Sequence, residues 1–162
     1  MKYQLERSQV VGGSIGEIFG FFKDPRNLEA LTPPFLGFRV ERATDQEVRL
    51  DTRIAYRLSL HGIPMRWESR IAEFVEGQHF ADEMLSGPYR RWYHRHRFLE
   101  VPGGVEISDH VAYELPFGVL GQLAHALFVR RQLEAIFAYR EAQVARLFPL
   151  QPPSPGQKVV TP

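Results

Sequence analysis

Between residues 48 and 115 apolar and charged residues alternate with a period of two, in runs broken by short turns. That pattern restricts the segment to an antiparallel sheet with one face covered and the other wet. Residues 48–60 place Val48, Leu50, Thr52, Ile54, Tyr56, Leu58 and Leu60 on one side, with Arg49, Asp51, Arg53 and Arg57 opposite. His61-Gly62 suits a tight hairpin turn, and residues 63–75 return with Ile63, Met65, Trp67, Ser69 and Ile71 on the inner face. Further strands are expected over 78–85, 89–101 and 105–115, joined by turns that carry Gly or Pro. A run over 35–42 precedes them, so six consecutive strands form a meander.

The flanks supply one more strand and the helices. Residues 2–11 alternate around Tyr3 and Leu5 and stop at Gly12-Gly13. Ser14 with Glu17 three residues later forms a capping-box signature, and Ile15, Ile18, Phe19 and Phe22 follow at helical spacing. Asp24-Pro25 starts a second short helix carrying Leu28 and Leu31, which must end before Pro33-Pro34. Residues 120–148 contain no proline, and Val119, Leu123, Ala126, Val129, Leu133, Ile136, Phe137, Val144 and Leu147 form a stripe at helical spacing, predicting one long amphipathic helix. Pro149 ends it. Residues 149–162 hold too little apolar content to pack and read as a disordered Pro-rich tail. The result is one α+β domain over residues 1–148 in the order β-α-α-β-β-β-β-β-β-α. A long helix laid across a strongly curved sheet closes the opening without filling it, which leaves a cavity.

Composition removes several alternatives. The chain has 20 basic and 19 acidic residues, a net charge of +1, so a dedicated nucleic-acid or acidic-membrane binder is not expected. It has no cysteine, which excludes disulfides, thiolate catalysis and Cys-bound zinc. No apolar leader is visible at the N-terminus and no run reaches the roughly 20 apolar residues of a membrane span, so a soluble, cytoplasmic protein is expected.

The strand over 89–101 carries the polar residues of most interest. Alternation sets Arg91, Tyr93, Arg95 and Arg97 on one face and Trp92, His94, His96 and Phe98 on the other. Several arginines cannot be buried together without partners, so theirs is the solvent face and both histidines point inward. On the next strand Asp109 shares the inner face with Val105, Ile107, Val111 and Tyr113, and Asp82 lies beside Phe80 and Met84 as a second inward carboxylate. Three roles are open to these groups. They can satisfy one another as a buried polar cluster. They can orient a ligand in an apolar pocket. A His–Asp pair can also move a proton, and His-x-His with a carboxylate can hold a divalent metal. No cofactor is expected, and no metal site is assigned. Arg140 breaks the apolar stripe of the long helix and reads as an arginine snorkelling at its edge, with pairing to an inward acid or to an anionic ligand as the alternatives.

Element order and local motifs together resemble the START-like superfamily, also called SRPBCC or helix-grip proteins, and within it a bacterial branch with ligand-binding and polyketide cyclase-like members. The residues that carry the likeness run from Asn27 to Pro34 (Asn27-Leu28-Glu29-Ala30-Leu31-Thr32-Pro33-Pro34). They continue in Gly87-Pro88-Tyr89 with Trp92, His94, His96 and Phe98, in Leu115-Pro116-Phe117-Gly118 with Gly121, and in Ile136-Phe137-Ala138-Tyr139-Arg140. The resemblance covers residues 1–148. It implies a helix-grip fold, β-α-α-β6-α, with a curved antiparallel sheet wrapped around the C-terminal helix and a cavity between them, entered near the short helices. It carries no catalytic motif, because the superfamily includes lipid carriers, receptors, aromatase/cyclases, oxygenase domains and chaperone activators.

The leading expectation is a monomer or weak homodimer that binds a small hydrophobic or amphipathic molecule, such as a lipid, quinone, isoprenoid or aromatic polyketide-like compound. Leu50, Ile54, Tyr56, Met65, Trp67, Phe80, Trp92, Phe98, Val111, Tyr113, Leu123, Leu127 and Phe137 would form the walls. His94, His96 and Asp109, with Asp82 and Arg140 nearby, would form the polar end. The alternatives are a cyclase, dehydratase or hydrolase-like enzyme using His94 or His96 with Asp109, and a protein-interaction module. The last calls for an exposed apolar patch, which the sequence does not reveal.

Overall fold

The computed structural model describes residues 1–60 and 62–150. His61, half of the expected hairpin turn, and residues 151–162 of the Pro-rich segment lie outside the described residues. Seven antiparallel strands form one curved sheet: β1 (Lys2–Val11), β2 (Arg39–Ala43), β3 (Arg53–Leu60), β4 (Ile63–Val75), β5 (His79–Ser86), β6 (Arg91–Val101) and β7 (Gly104–Glu114). Their order is β1-β7-β6-β5-β4-β3-β2, so the first strand closes against the last. Helix α1 (Ile15–Phe22) follows β1, and β7 is followed by α2 (Gly118–Ala124), a π turn (His125–Val129) and α3 (Arg130–Leu147).

Alternation works as the residue pattern demands. Along β7 every second residue from Val105 to Tyr113 is buried, Asp109 included. A register shift between Ile71 and Glu73 bulges β4 and brings Phe74 against Phe19, with ring centroids 5.8 Å apart. Such bulges bend a strand and increase its twist, which helps the sheet wrap. Ser14 caps α1 with the reciprocal Glu17 contact, and Ile18, Phe19 and Phe22 of that helix pack in one cluster with Phe80, Phe98 and Ile107. This cluster fills one end of the concave face. Leu133, Phe137, Arg140 and Val144 of α3 cover the rest, at spacings of four, three and four that keep them on one helix face. The helix end is pinned where the Gly12 N–H donates to the Phe148 carbonyl at 3.0 Å. A Cβ on Gly12 would meet the Pro149 oxygen at 2.1 Å, so the helix end approaches the end of β1 as closely as glycine allows.

Four local expectations need correction. Residues 48–52 do not extend β3. Asp51 adopts φ 67°, Thr52 is buried with its hydroxyl donating to Asp45 and accepting from the Arg49 N–H, and Leu50 is exposed instead of lining a cavity. Residues 35–38 are not strand either, because Pro34–Leu36 form a 3-10 turn closed by Gly37 at φ 52°, leaving Phe35 outside. The second helix is a single 3-10 turn, Pro25–Leu28, capped by Asp24 accepting from the Arg26 N–H. The long helix is present, running from Gly118 to Leu147, but its expected apolar stripe is broken by the π turn within it. A π turn adds a residue to the cycle, so a stripe continuous in sequence is not continuous in space. Upstream of it Phe117, Val119, Leu120 and Leu123, with Leu127 inside it, are all more than half exposed, which is an apolar patch that alternation and spacing did not disclose. No helix among the described residues is long and apolar enough to cross a membrane.

Candidate functional site

Between the sheet, α3 and the segment 21–38 lies a cavity of about 200 Å³. Its walls are chiefly aromatic and aliphatic, including Tyr56, Trp67, Tyr89, Trp92, Leu31, Leu133, Ile136 and Phe137. Trp67 sits edge-on to Trp92 at 5.3 Å between centroids and stacks on Tyr56 at 5.8 Å, making a rigid aromatic flank. Asp82, His94, His96 and Arg140 reach the same cavity from β5, β6 and α3. Of the wall residues expected from the sequence, Ile54, Tyr56, Trp67, Phe80, Trp92 and Phe137 line it. Met65 is not among the lining residues. Phe98 is buried beneath Phe19 and Phe22, and Val111 and Tyr113 pack in a separate cluster with Leu133 and Phe137. Leu123 and Leu127 are more than half exposed and do not line it. Gln132 and Phe38 belong to the lining but have no sequence signal beyond lying next to an apolar position.

The sheet register builds the polar floor. Asp82 lies directly opposite His94, and His96 opposite Asp109, so the inward faces of β5, β6 and β7 bring four ionisable groups together. Asp109 stands behind the histidines and does not line the cavity itself. Its Oδ1 is 2.9 Å from His94 Nε2 and 2.7 Å from His96 Nδ1. Its Oδ2 faces Arg140 Nε at 3.6 Å. Arg140 is only 9% exposed and lies over the Phe22 ring, so it is no snorkelling residue: an inward acid from β7 holds it inside. The sequence could not show this partner, which is contributed by a distant strand.

The charges follow from these contacts. Burial alone would push the Asp109 carboxyl up, but the Arg140 charge and hydrogen bonds from both histidines outweigh it and hold the group well below the usual carboxylate value. Burial, with a second imidazole alongside, pushes His94 down to about 4, so its ring is neutral at pH 7. On the other side Ser69 Oγ accepts from Trp67 Nε1 at 2.9 Å and donates to Asp82 Oδ2 at 3.4 Å. Burial and the Asp82 charge push the nearby Tyr56 hydroxyl well above its usual value. Tyr56 is therefore a neutral phenol in the wall. Chemically, the floor combines a neutral imidazole, a screened carboxylate behind the rings and a carboxylate in front. It is suited to accept hydrogen bonds or to ligate a cation, and Asp82, His94 and His96 each offer a donor atom within 4.8 Å of the others.

Known proteins share this architecture. A family model described as polyketide cyclase / dehydrase and lipid transport matches residues 11–137. No curated protein matches the chain. Protein CV1439 from Chromobacterium violaceum shares the fold at TM-score 0.68 and 14% identity, over 92% of this chain and 99% of that one. Ginseng major latex-like protein 151 from Panax ginseng does so at 0.67 and 8% identity, over 91% and 98%. Protein TTHA0849 from Thermus thermophilus does so at 0.64 and 19% identity, over 90% and 99%. The family match and these shared architectures bear out the helix-grip resemblance; at such identities the structural likeness is one of fold.

Proposed function

We propose a function for a chain that belongs to the polyketide cyclase / dehydrase and lipid transport family: cytoplasmic binding of a compact amphipathic molecule between the sheet and α3. One observation carries this reading. An apolar, aromatic-walled cavity has its polar groups gathered at one place, the Asp82–His94–His96 floor, and such a polarised pocket is the usual form of a small-molecule site. Pockets for drug-sized ligands measure about 300–1,000 Å³, so a cavity of about 200 Å³ favours a molecule of one or two rings, quinone-like or aromatic polyketide-like, over a two-chain lipid. The groups at the floor chiefly accept hydrogen bonds, which favours a ligand hydroxyl over a ligand carboxylate.

Trp67 and Trp92 are the chain's two tryptophans and both line the cavity, so intrinsic fluorescence reports its occupancy. Titration with 2-naphthol in chelator-containing buffer is expected to give saturable quenching, weaker with 2-naphthoate and abolished by the cavity-filling Ile136→Phe. Native mass spectrometry of protein from its own host is expected to show a co-purifying small molecule. Absence of both saturable quenching and any bound molecule overturns the reading. A second reading, acid/base catalysis of a cyclisation or dehydration, is favoured by the exposure of His94 and His96 to the cavity with Asp109 behind them. It requires turnover that His94→Gln and His96→Gln remove while naphthol binding persists.

A further inference from the structure

The proton positions at the floor follow from its distances. A carboxylate can only accept, and Asp109 Oδ1 lies 2.9 Å from His94 Nε2 and 2.7 Å from His96 Nδ1. Both of those nitrogens therefore carry hydrogen. His96 Nδ1 also lies 3.2 Å from Arg140 Nη2, but the shorter contact to an anionic oxygen decides the tautomer. An imidazole in its neutral form has one N–H, so with that hydrogen turned to Asp109 the remaining nitrogens, His94 Nδ1 and His96 Nε2, are the ones that can offer a lone pair. Each of these atoms is 3.8 Å from Asp82 Oδ1. That is too far for a hydrogen bond. Three lone-pair donors thus converge on one point at the cavity floor.

We propose that Asp82, His94 and His96 bind a divalent transition-metal ion, with zinc as the simplest occupant. Two sides of the donor triangle are 3.8 Å and the donor atoms all lie within 4.8 Å, so a point no more than about 2.5 Å from each exists, against about 2.0–2.2 Å for zinc bound to nitrogen and oxygen. Two imidazoles and one carboxylate suit zinc, iron(II) or nickel, whereas magnesium and calcium call for oxygen ligands alone. The surroundings are those of a metal centre. Metal-ligating histidines usually donate their other N–H to a carboxylate, which fixes the ring and raises its basicity. Here both rings donate to the same Asp109, and Arg140 balances that carboxylate from behind. Asp82 is itself held through Oδ2 by Ser69. Three protein ligands leave a fourth position, on the cavity side, for a water or a ligand oxygen, as in sites where zinc does chemistry. The inference goes beyond the binding of an organic molecule and does not need it, since the ion would rest on side chains alone.

Calorimetric titration of the chelator-stripped, full-length protein with zinc chloride tests it. One zinc per chain is expected. Asp82→Ala is expected to weaken binding more than about 100-fold, and Asp109→Asn, which leaves all three ligands in place, about 10–100-fold. Circular dichroism checks that the variants are folded. Failure of the wild-type protein to bind zinc tighter than millimolar overturns the proposal, and so does unchanged affinity in folded Asp82→Ala, which would put the ion on surface histidines. If Asp82→Ala does not fold, the imidazole nitrogen resonances of the wild-type protein decide. Perturbation of His94 Nδ1 and His96 Nε2 on adding zinc supports the site, and unmoved resonances refute it. Zinc binding and naphthol binding are separate measurements, so either assignment can fail without the other.

Discussion

Replacing Arg140 with methionine isolates the electrostatic support of the floor, because methionine keeps much of the apolar stem and removes the charge. Arg140 and Asp109 are both almost wholly inside, with side chains 11% and 7% exposed, so solvent does little to screen their interaction. Removing one partner of a buried pair costs about 3–5 kcal/mol, since the other charge stays buried and unbalanced. Asp109 keeps two hydrogen bonds from the histidines in the variant, which places the expected loss at the low end, about 3 kcal/mol. With a urea dependence of about 2 kcal/mol per molar, the unfolding midpoint should fall by about 1.5 M. Adding Asp109→Asn removes the stranded charge, so the double variant should be at least as stable as Arg140→Met. The cycle should show a coupling of about 2 kcal/mol. A loss below about 1 kcal/mol for Arg140→Met, with additive single and double effects, would refute the ion-pair account and return Arg140 to the role of an edge residue.

Two further outcomes can be checked directly. In metal-free buffer the unfolded chain protonates His94 near pH 6.5 while the folded chain resists until about 4, so the His94 contribution is complete above pH 6.5 and is lost as pH falls towards 4. Stability measured across that window should drop by on the order of 3 kcal/mol more in wild type than in His94→Gln; equal slopes would contradict the assignment. The Asp109 contribution, with its folded value held below the ordinary one, is lost only at lower pH still. Gly104→Ala should lower the melting temperature more than Gly103→Ala. A Cβ at Gly104 would meet the Val11 carbonyl oxygen at 2.0 Å, whereas Gly103 has open space and only a φ of 87° to oppose a side chain, a cost of about 1–2 kcal/mol. The reverse order would show that β1 yields where the close approach says it cannot.

What the sequence revealed and what it hid divide along the range of the interactions. In β6 and β7 a residue's face depends only on its own position, and the arginine row settles which face is wet, so His94, His96 and Asp109 could be placed indoors from residue types alone. Residues 48–52 keep the same alternation, yet the positive φ at Asp51 and the bonds made by Thr52 turn them into a loop. A periodic pattern does not report a local turn whose partners are side chains. The helix stripe was legible downstream of the π turn, where Leu133, Phe137 and Val144 are buried, and misleading upstream, because one inserted residue rotates everything before it relative to the sheet. The convergence of Asp82 on both histidines depends on the β5–β6 register, and Arg140 depends on the seating of α3. Neither can be read from spacing.

Asp109 Oδ1 receives both histidines, and the other oxygen of the same carboxylate faces α3. Mechanically it is a yoke: two rings on one side, the closing helix on the other, and no slack in contacts of 2.9 and 2.7 Å. An occupant that draws either ring towards the cavity must pull on Asp109, and through it on Arg140. Whatever fills the floor is thereby felt by the helix that roofs it, and the tightness of the roof becomes a property of the cargo.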